Sequence, residues 1–146
     1  MMQTFRYPPA MVQPMRDELT RIGFEELLTP DAVDQAIDHA KGTLLVVVNS
    51  VCGCAAGMAR PGVKLALQHP HRPDRLATVF AGMETEATDR ARSRFAPYPP
   101  SSPQIALFKD GQVVHMLERH DIQGRPPEMI AADLRAAFDK HCAPAA

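Results

Sequence analysis

Cys52 and Cys54 stand one residue apart, with only Gly53 between them, where an apolar run gives way to a helical pattern. The run is Leu44-Leu45-Val46-Val47-Val48; it passes through Asn49-Ser50-Val51, and the residues from Ala55 onward read as a helix. A helix start carries unpaired backbone N–H groups and a partial positive charge, which stabilise a thiolate and lower its pKa. The thiolate is the attacking species in thiol–disulfide exchange. Cys52 is therefore the candidate nucleophile and Cys54 its partner, placed in the first helical turn with its sulfur nearer the interior. Two roles stand open for Cys54: it resolves a mixed disulfide on Cys52, or it only tunes its neighbour. With one spacer residue the two sulfurs close a ring of about eleven atoms, against about fourteen for a Cys-x-x-Cys pair, and ring strain makes the bond easier to reduce. Gly53 permits that tight approach and any unusual backbone angles the ring requires.

The rival chemistry for two close thiolates is capture of copper or zinc. Two soft ligands leave the coordination unfilled, and none of the six histidines, among them His69, His71, His115 and His120, has a spacing that reads as a metal site. No bound metal is expected. Cys142, beside His141 at the end of the last predicted helix, reads as a terminal thiol with no part in the chemistry. Three cysteines, two of them crowded together, do not form the framework of a secreted domain, so a reducing cytoplasm is expected.

Composition removes other classes. A net charge of −1 with acids and bases interleaved lacks the basic footprint that a phosphate backbone demands, so nucleic acid is not an expected partner. Residues 1–7 contain no basic stretch leading into a long apolar core, and no apolar run reaches the ~20 residues of a membrane span. A length of 146 residues fits one domain. That domain is expected to span residues 1–146, with 1–10 a flexible N-terminal segment and 143–146 a tail.

The sulfurs must be held by the elements around them. Apolar residues at Met11, Met15, Leu19 and Ile22 predict a short first helix interrupted at Pro14 and stopped at Gly23. Thr29-Pro30-Asp31 supplies an N-cap, a first-turn proline and an early acid for a helix over Val33, Ala36, Ile37 and Ala40, ending at Lys41-Gly42. Thr43 to Asn49 is apolar on both faces and rich in β-branched residues, as a central strand covered on both sides would be. Ala55 to His69 predicts a helix kinked or restarted at Pro61. A strand over Leu76 to Ala81 and a helix over Glu84 to Phe95 follow. Strands over Ile105 to Phe108 and Val113 to Leu117 flank Asp110-Gly111, a strong hairpin signal. Pro126-Pro127 opens a last helix whose apolar face carries Met129, Ile130, Leu134, Ala137 and Phe138. Met11, Met15 and Met129 are expected to pack into the core.

This pattern describes an α/β fold of the thioredoxin-like kind: a three-layer sandwich with a central mixed sheet of about four to five strands flanked by helices, plus an added N-terminal helix. More specifically, Val48-Asn49-Ser50-Val51-Cys52-Gly53-Cys54-Ala55-Ala56-Gly57-Met58-Ala59-Arg60-Pro61 resembles the bacilliredoxin family. So do Met15-Arg16-Asp17-Glu18-Leu19, Gly23-Phe24-Glu25-Glu26-Leu27-Leu28, Ser101-Ser102-Pro103, Ala106-Leu107-Phe108-Lys109-Asp110-Gly111 and Glu118-Arg119-His120-Asp121-Ile122. The resemblance implies a cytoplasmic enzyme that removes the small thiol bacillithiol from S-bacillithiolated proteins, with possible disulfide isomerase activity and no bound cofactor. Cys52 would attack and Cys54 would be its partner. Ser102 and Pro103 would meet the substrate, Pro103 as a cis-proline by analogy with the wider fold. Arg60 and Arg119 are expected as solvated surface residues, with attraction of the small thiol's carboxylates as the lesser alternative. Asn49 stands where thioredoxins place an acid, and no tryptophan flanks the motif. Ring strain predicts a reduction potential above thioredoxin's roughly −270 mV, in the range of about −130 to −230 mV.

Overall fold

The computed structural model describes residues 7–38 and 41–142. Helix α1 (Pro9–Thr20) is followed by strand β1 (Glu25–Glu26), helix α2 (Pro30–Ile37) and strand β2 (Thr43–Asn49). A π-helical turn (Ala55–Ala59) leads into α3 (Arg60–Ala66), then β3 (Arg75–Phe80), α4 (Thr85–Arg92), the hairpin β4 (Gln104–Lys109) and β5 (Gln112–Leu117), a short α5 (Arg119–Ile122) and α6 (Pro127–His141). The sheet order is β1-β3-β2-β4-β5, with β3 parallel and β4 antiparallel to the central β2. The chain therefore has the mixed five-stranded α/β sheet that its sequence pattern predicts.

All seven residues of β2 are buried, and their alternation divides the core. Leu45 and Val47 join Ala59, Val63, Ile130, Leu134 and Phe138 on the α3/α6 side. Leu44, Val46 and Val48 join Val33, Ile37, Ala87 and Ala91 on the α2/α4 side. Because side chains along a strand point to opposite faces, a strand buried on both must be apolar throughout. The strand that delivers the cysteines is thus the most tightly enclosed in the molecule.

Several boundaries differ from the sequence reading, each for a physical reason. Helix α1 starts at Pro9, inside the segment expected to be flexible, and continues through Pro14. Residues 1–6 and the expected tail at 143–146 lie outside the described residues. Helix α2 has the expected cap, Ala32 N–H donating to Thr29 Oγ1 at 3.1 Å, but stops at Ile37, and Ala40 lies outside the described residues. Strand β1 is a two-residue edge of paired glutamates with no apolar alternation to betray it, held by register against Ala77 and Thr78. Met11 and Met129 are exposed rather than in the core, while Ile130 is fully buried. At the hairpin, Asp110 and Gly111 both have positive φ (51° and 81°), the pair of angles that a two-residue turn matching strand twist requires.

The helix after the cysteines is not uniform. Arg60 N–H reaches back five residues to the Ala55 carbonyl, and α3 proper begins only there. Pro61 explains the widened turn: it has no N–H to give and its ring crowds the carbonyl of Gly57, four residues back. Beyond it, Gly62 lies so close to α6 that a Cβ would fall 2.7 Å from Ile130 Cγ2, 2.9 Å from Ile130 Cβ and 3.3 Å from the Pro127 carbonyl. Glycine is what lets the two helices touch.

Candidate active site

The site forms where β2 ends. Ala55 and Ala56 N–H both donate to the Cys52 carbonyl, at 3.1 and 3.2 Å, so Cys52 is the residue at which helical bonding starts and Gly53 is already helical. Cys52 is half-buried; Cys54, 9 % exposed, packs into the α3/α6 core. Ser50 Oγ donates to Cys52 Sγ at 3.2 Å. Partial burial, the largest influence on the Cys52 thiol, pushes its pKa up. The hydrogen bond from Ser50, the N–H groups of Ala55 and Cys54 and the positive charge of Arg119 outweigh it, and the net direction is down. Helix-start stabilisation, expected from position alone, is therefore one part of the effect. The serine and the arginine are the parts that position did not announce.

Behind Cys52 lies a buried polar clamp. Arg60 is 3 % exposed, not a solvated surface residue as the sequence suggested. Its Nη1 donates to Asn49 Oδ1 and to the Ser50 carbonyl, both at 2.9 Å, and its Nε to Glu18 at 2.9 Å. Asn49 Oδ1 also accepts from Ser50 N–H at 2.9 Å, and Asn49 Nδ2 donates to the Met15 carbonyl at 3.1 Å. Both backbone polar groups of Ser50 are thus fixed, which aims its hydroxyl. The asparagine at the strand end serves this clamp, and α1 is part of the site's support. No local sequence signal joins Arg60 to Glu18, 42 positions earlier.

The opposite wall is the loop before β4. The Ser102–Pro103 peptide is cis, and so is Ala96–Pro97. Fully buried Gln104 staples the loop: its Oε1 accepts from Ser101 N–H at 3.2 Å and its Nε2 donates to the Pro99 carbonyl at 3.1 Å. Arg119 N–H donates to Ser101 Oγ at 3.2 Å and its Nη1 to the Ser102 carbonyl at 3.4 Å, tying α5 to the same loop. Cys52, Ser50, Ser102 and Arg119 line one pocket of about 210 Å³. Of the expected site residues, the fold brings Cys52 and Ser102 together there, puts Pro103 buried beside Ser102, and sets Cys54 beneath. Gly53 is exposed, without positive φ, and a Cβ there would meet nothing within 4 Å. With the cysteines unpaired, its conformational freedom is not used.

Cys142 is remote. Burial raises its thiol pKa, partly offset by a hydrogen bond to Thr43, the first residue of β2. At ~3.3 Å per strand residue, that is the far end of the sheet from Cys52. Among the described residues no histidine, aspartate or glutamate joins Cys52 and Cys54 in a possible metal site. Such groups occur instead at His69/His71/Asp139 and Glu118/His120/Asp121.

Paired thiols at a helix start beneath a cis-proline loop, on this sheet, define a thioredoxin-fold thiol–disulfide oxidoreductase. A thioredoxin from Malassezia sympodialis superposes with a TM-score of 0.58 at 16 % identity, covering 83 % of this chain and 92 % of that one. Thioredoxin from Fasciola hepatica gives 0.56 at 20 % identity, covering 81 % and 99 %. Residues 7–142 match the profile of the disulphide isomerase family. A bacilliredoxin from Koribacter versatilis is 57 % identical over 93 % of this chain and 94 % of its own length, and one from Salinibacter ruber is 56 % identical over 93 % and 81 %. The chain belongs to the bacilliredoxin family.

Proposed function

We propose that this protein removes bacillithiol from S-bacillithiolated proteins in the cytoplasm, with no bound cofactor. The observation that carries the reading is the pairing of a half-exposed Cys52 sulfur, hydrogen-bonded by Ser50, with a buried Cys54 one residue away. The Cys52 thiolate attacks the bacillithiol sulfur of the mixed disulfide. One S–S bond forms as another breaks, bacillithiol stays on Cys52, and the target protein departs as a thiolate that takes up a proton. Cys54 then attacks the Cys52 sulfur, closing the Cys52–Cys54 bond as the bond to bacillithiol breaks, and the expelled small thiolate takes up the proton that Cys54 gives up. Two equivalents of a low-molecular-weight thiol then restore the dithiol: the first opens the Cys52–Cys54 bond as a mixed disulfide, and the second releases the first as the small disulfide. Ser102 and Pro103 support the reading as the wall against which the substrate lies. The same attack on a disulfide within one protein, followed by attack of another thiol of that protein on the resulting mixed disulfide to release Cys52, would give isomerase activity.

The mass of Cys52 after incubation with a bacillithiolated protein tests the proposal. Cys54→Ser is expected to hold a stable bacillithiol adduct on Cys52, and Cys52→Ser to release no bacillithiol. Full release by Cys52→Ser would refute the assignment; equal adduct lifetimes with and without Cys54 would reduce Cys54 to a tuning role.

A further inference from the structure

Two histidines and an aspartate that the exchange chemistry does not use meet on the surface between α3 and α6. His69 and His71 follow the C-terminal end of α3, either side of Pro70, and Asp139 lies in the last turn of α6. His69 Nε2 stands 2.7 Å and His71 Nδ1 2.8 Å from the same oxygen, Asp139 Oδ1. The two rings meet edge to face, with centroids 5.7 Å apart and planes at 88°, so they approach that oxygen from different directions. One ligand atom from each of the three residues lies within 4.8 Å of the other two. Spacing along the chain hid the group, because Asp139 comes 68 positions after His71. The helix pair does not need it for contact: Arg135 Nη2 already donates to the Leu65 carbonyl at 3.0 Å, and Ile130 packs on Gly62. The His69 backbone N–H donates to the Ala66 carbonyl at 3.2 Å, and Pro70 stiffens the single residue between the rings. No lysine or arginine among the described residues pairs with Asp139, so no fixed cation competes for it.

We infer that His69, His71 and Asp139 form a binding site for a divalent transition metal such as zinc, which staples the end of α3 to the end of α6. Two imidazoles and a carboxylate are a donor set of open zinc sites, with water as the fourth ligand, whereas hard cations such as magnesium prefer oxygen shells. Each imidazole offers a lone pair in place of the N–H it now directs at the carboxylate. Ligand atoms ~2.1 Å from a tetrahedral ion stand ~3.4 Å apart, so on binding the nitrogens draw back from the oxygen by about 0.6 Å. Half-buried histidines and an exposed aspartate allow that movement. The ion takes no part in the exchange, since Cys52 precedes the N-terminal end of α3 and the three ligands lie beyond its C-terminal end.

The untagged full chain carrying Cys52→Ser and Cys54→Ser, which lacks the rival thiolates, is titrated with zinc alone by calorimetry. It is expected to take up one ion per chain. Affinity should fall by at least about 100-fold when His71→Ala or Asp139→Asn is added, beyond the about 10- to 100-fold that loss of a merely supporting group causes. His120→Ala, which breaks the cluster at α5, should bind as the parent does. Zinc is expected to raise the parent's Tm with the logarithm of its concentration and to leave that of Asp139→Asn unmoved, while magnesium raises neither. Cobalt(II) should give visible d–d bands without sulfur-to-cobalt charge transfer, which sets Cys142 aside as a ligand. No uptake by the parent, uptake unchanged in His71→Ala and Asp139→Asn, loss in His120→Ala instead, or a sulfur-to-cobalt band each overturns the inference. None of these readouts depends on removal of bacillithiol.

Discussion

Replacing Ser50 by alanine removes its hydroxyl's hydrogen bond to the Cys52 sulfur, 3.2 Å long, and the 3.4 Å bond that Cys52 N–H gives that hydroxyl, without touching the backbone groups that Asn49 and Arg60 hold. A hydroxyl bonded to a charged acceptor in a site open to water is worth about 1 kcal/mol, which corresponds to about a fivefold loss of thiolate at any pH below the titration midpoint. The intrinsic nucleophilicity of a thiolate rises with its basicity, with a Brønsted coefficient of about 0.4–0.5, and recovers part of that loss. The expected outcome is a pair of crossing pH–rate profiles. Below the midpoint Ser50→Ala reacts about two- to threefold more slowly than the wild type, and above both midpoints about twofold faster. Alkylation by iodoacetamide across the pH range, followed by mass spectrometry of the Cys52 peptide, measures both limbs. Profiles that coincide, or a midpoint that moves down, would refute the role assigned to the serine. The sign also fixes the stability linkage. A Cys52 pKa depressed in the folded protein contributes stability above the ordinary thiol range and loses it as pH falls through the folded value. Ser50→Ala narrows that window.

Gly62→Ala would force a methyl group to 2.7 Å from Ile130, so despite the better helix propensity of alanine the variant should lose about 1–2 kcal/mol and melt several degrees lower; an unchanged Tm would show that α3 and α6 part freely. Arg60→Lys keeps the charge but loses the planar fork that spans Asn49, Ser50 and Glu18, and is expected to destabilise by about 2–3 kcal/mol in chemical denaturation. Because Ser50 is then no longer aimed, its Cys52 alkylation profile should move in the same direction as that of Ser50→Ala, which mere loss of stability would not produce.

The sequence determined what local chemistry can determine. The continuous apolar run from Leu44 to Val48 required a strand buried on both faces, Asp110-Gly111 required a tight hairpin turn, and Thr29-Pro30-Asp31 required a helix start; each appears because neighbouring residues alone set those preferences. The cysteine pair at a strand-to-helix junction was legible for the same reason. Proline marked the disturbed helix but left open whether the chain kinks, restarts or widens, and the structure shows a π-helical turn there. Tertiary structure alone decided the rest. Arg60 changed from an expected surface residue to the centre of a buried clamp because Glu18 and Asn49 reach it only when α1, β2 and α3 are assembled. The serine's hydroxyl found the sulfur because that clamp holds its backbone, and Arg119 reached the pocket because α5 is bound to the cis-proline loop. The position of the cysteine pair is a property of spacing along the chain. Its environment is made of contacts between residues far apart in sequence, which no local pattern encodes.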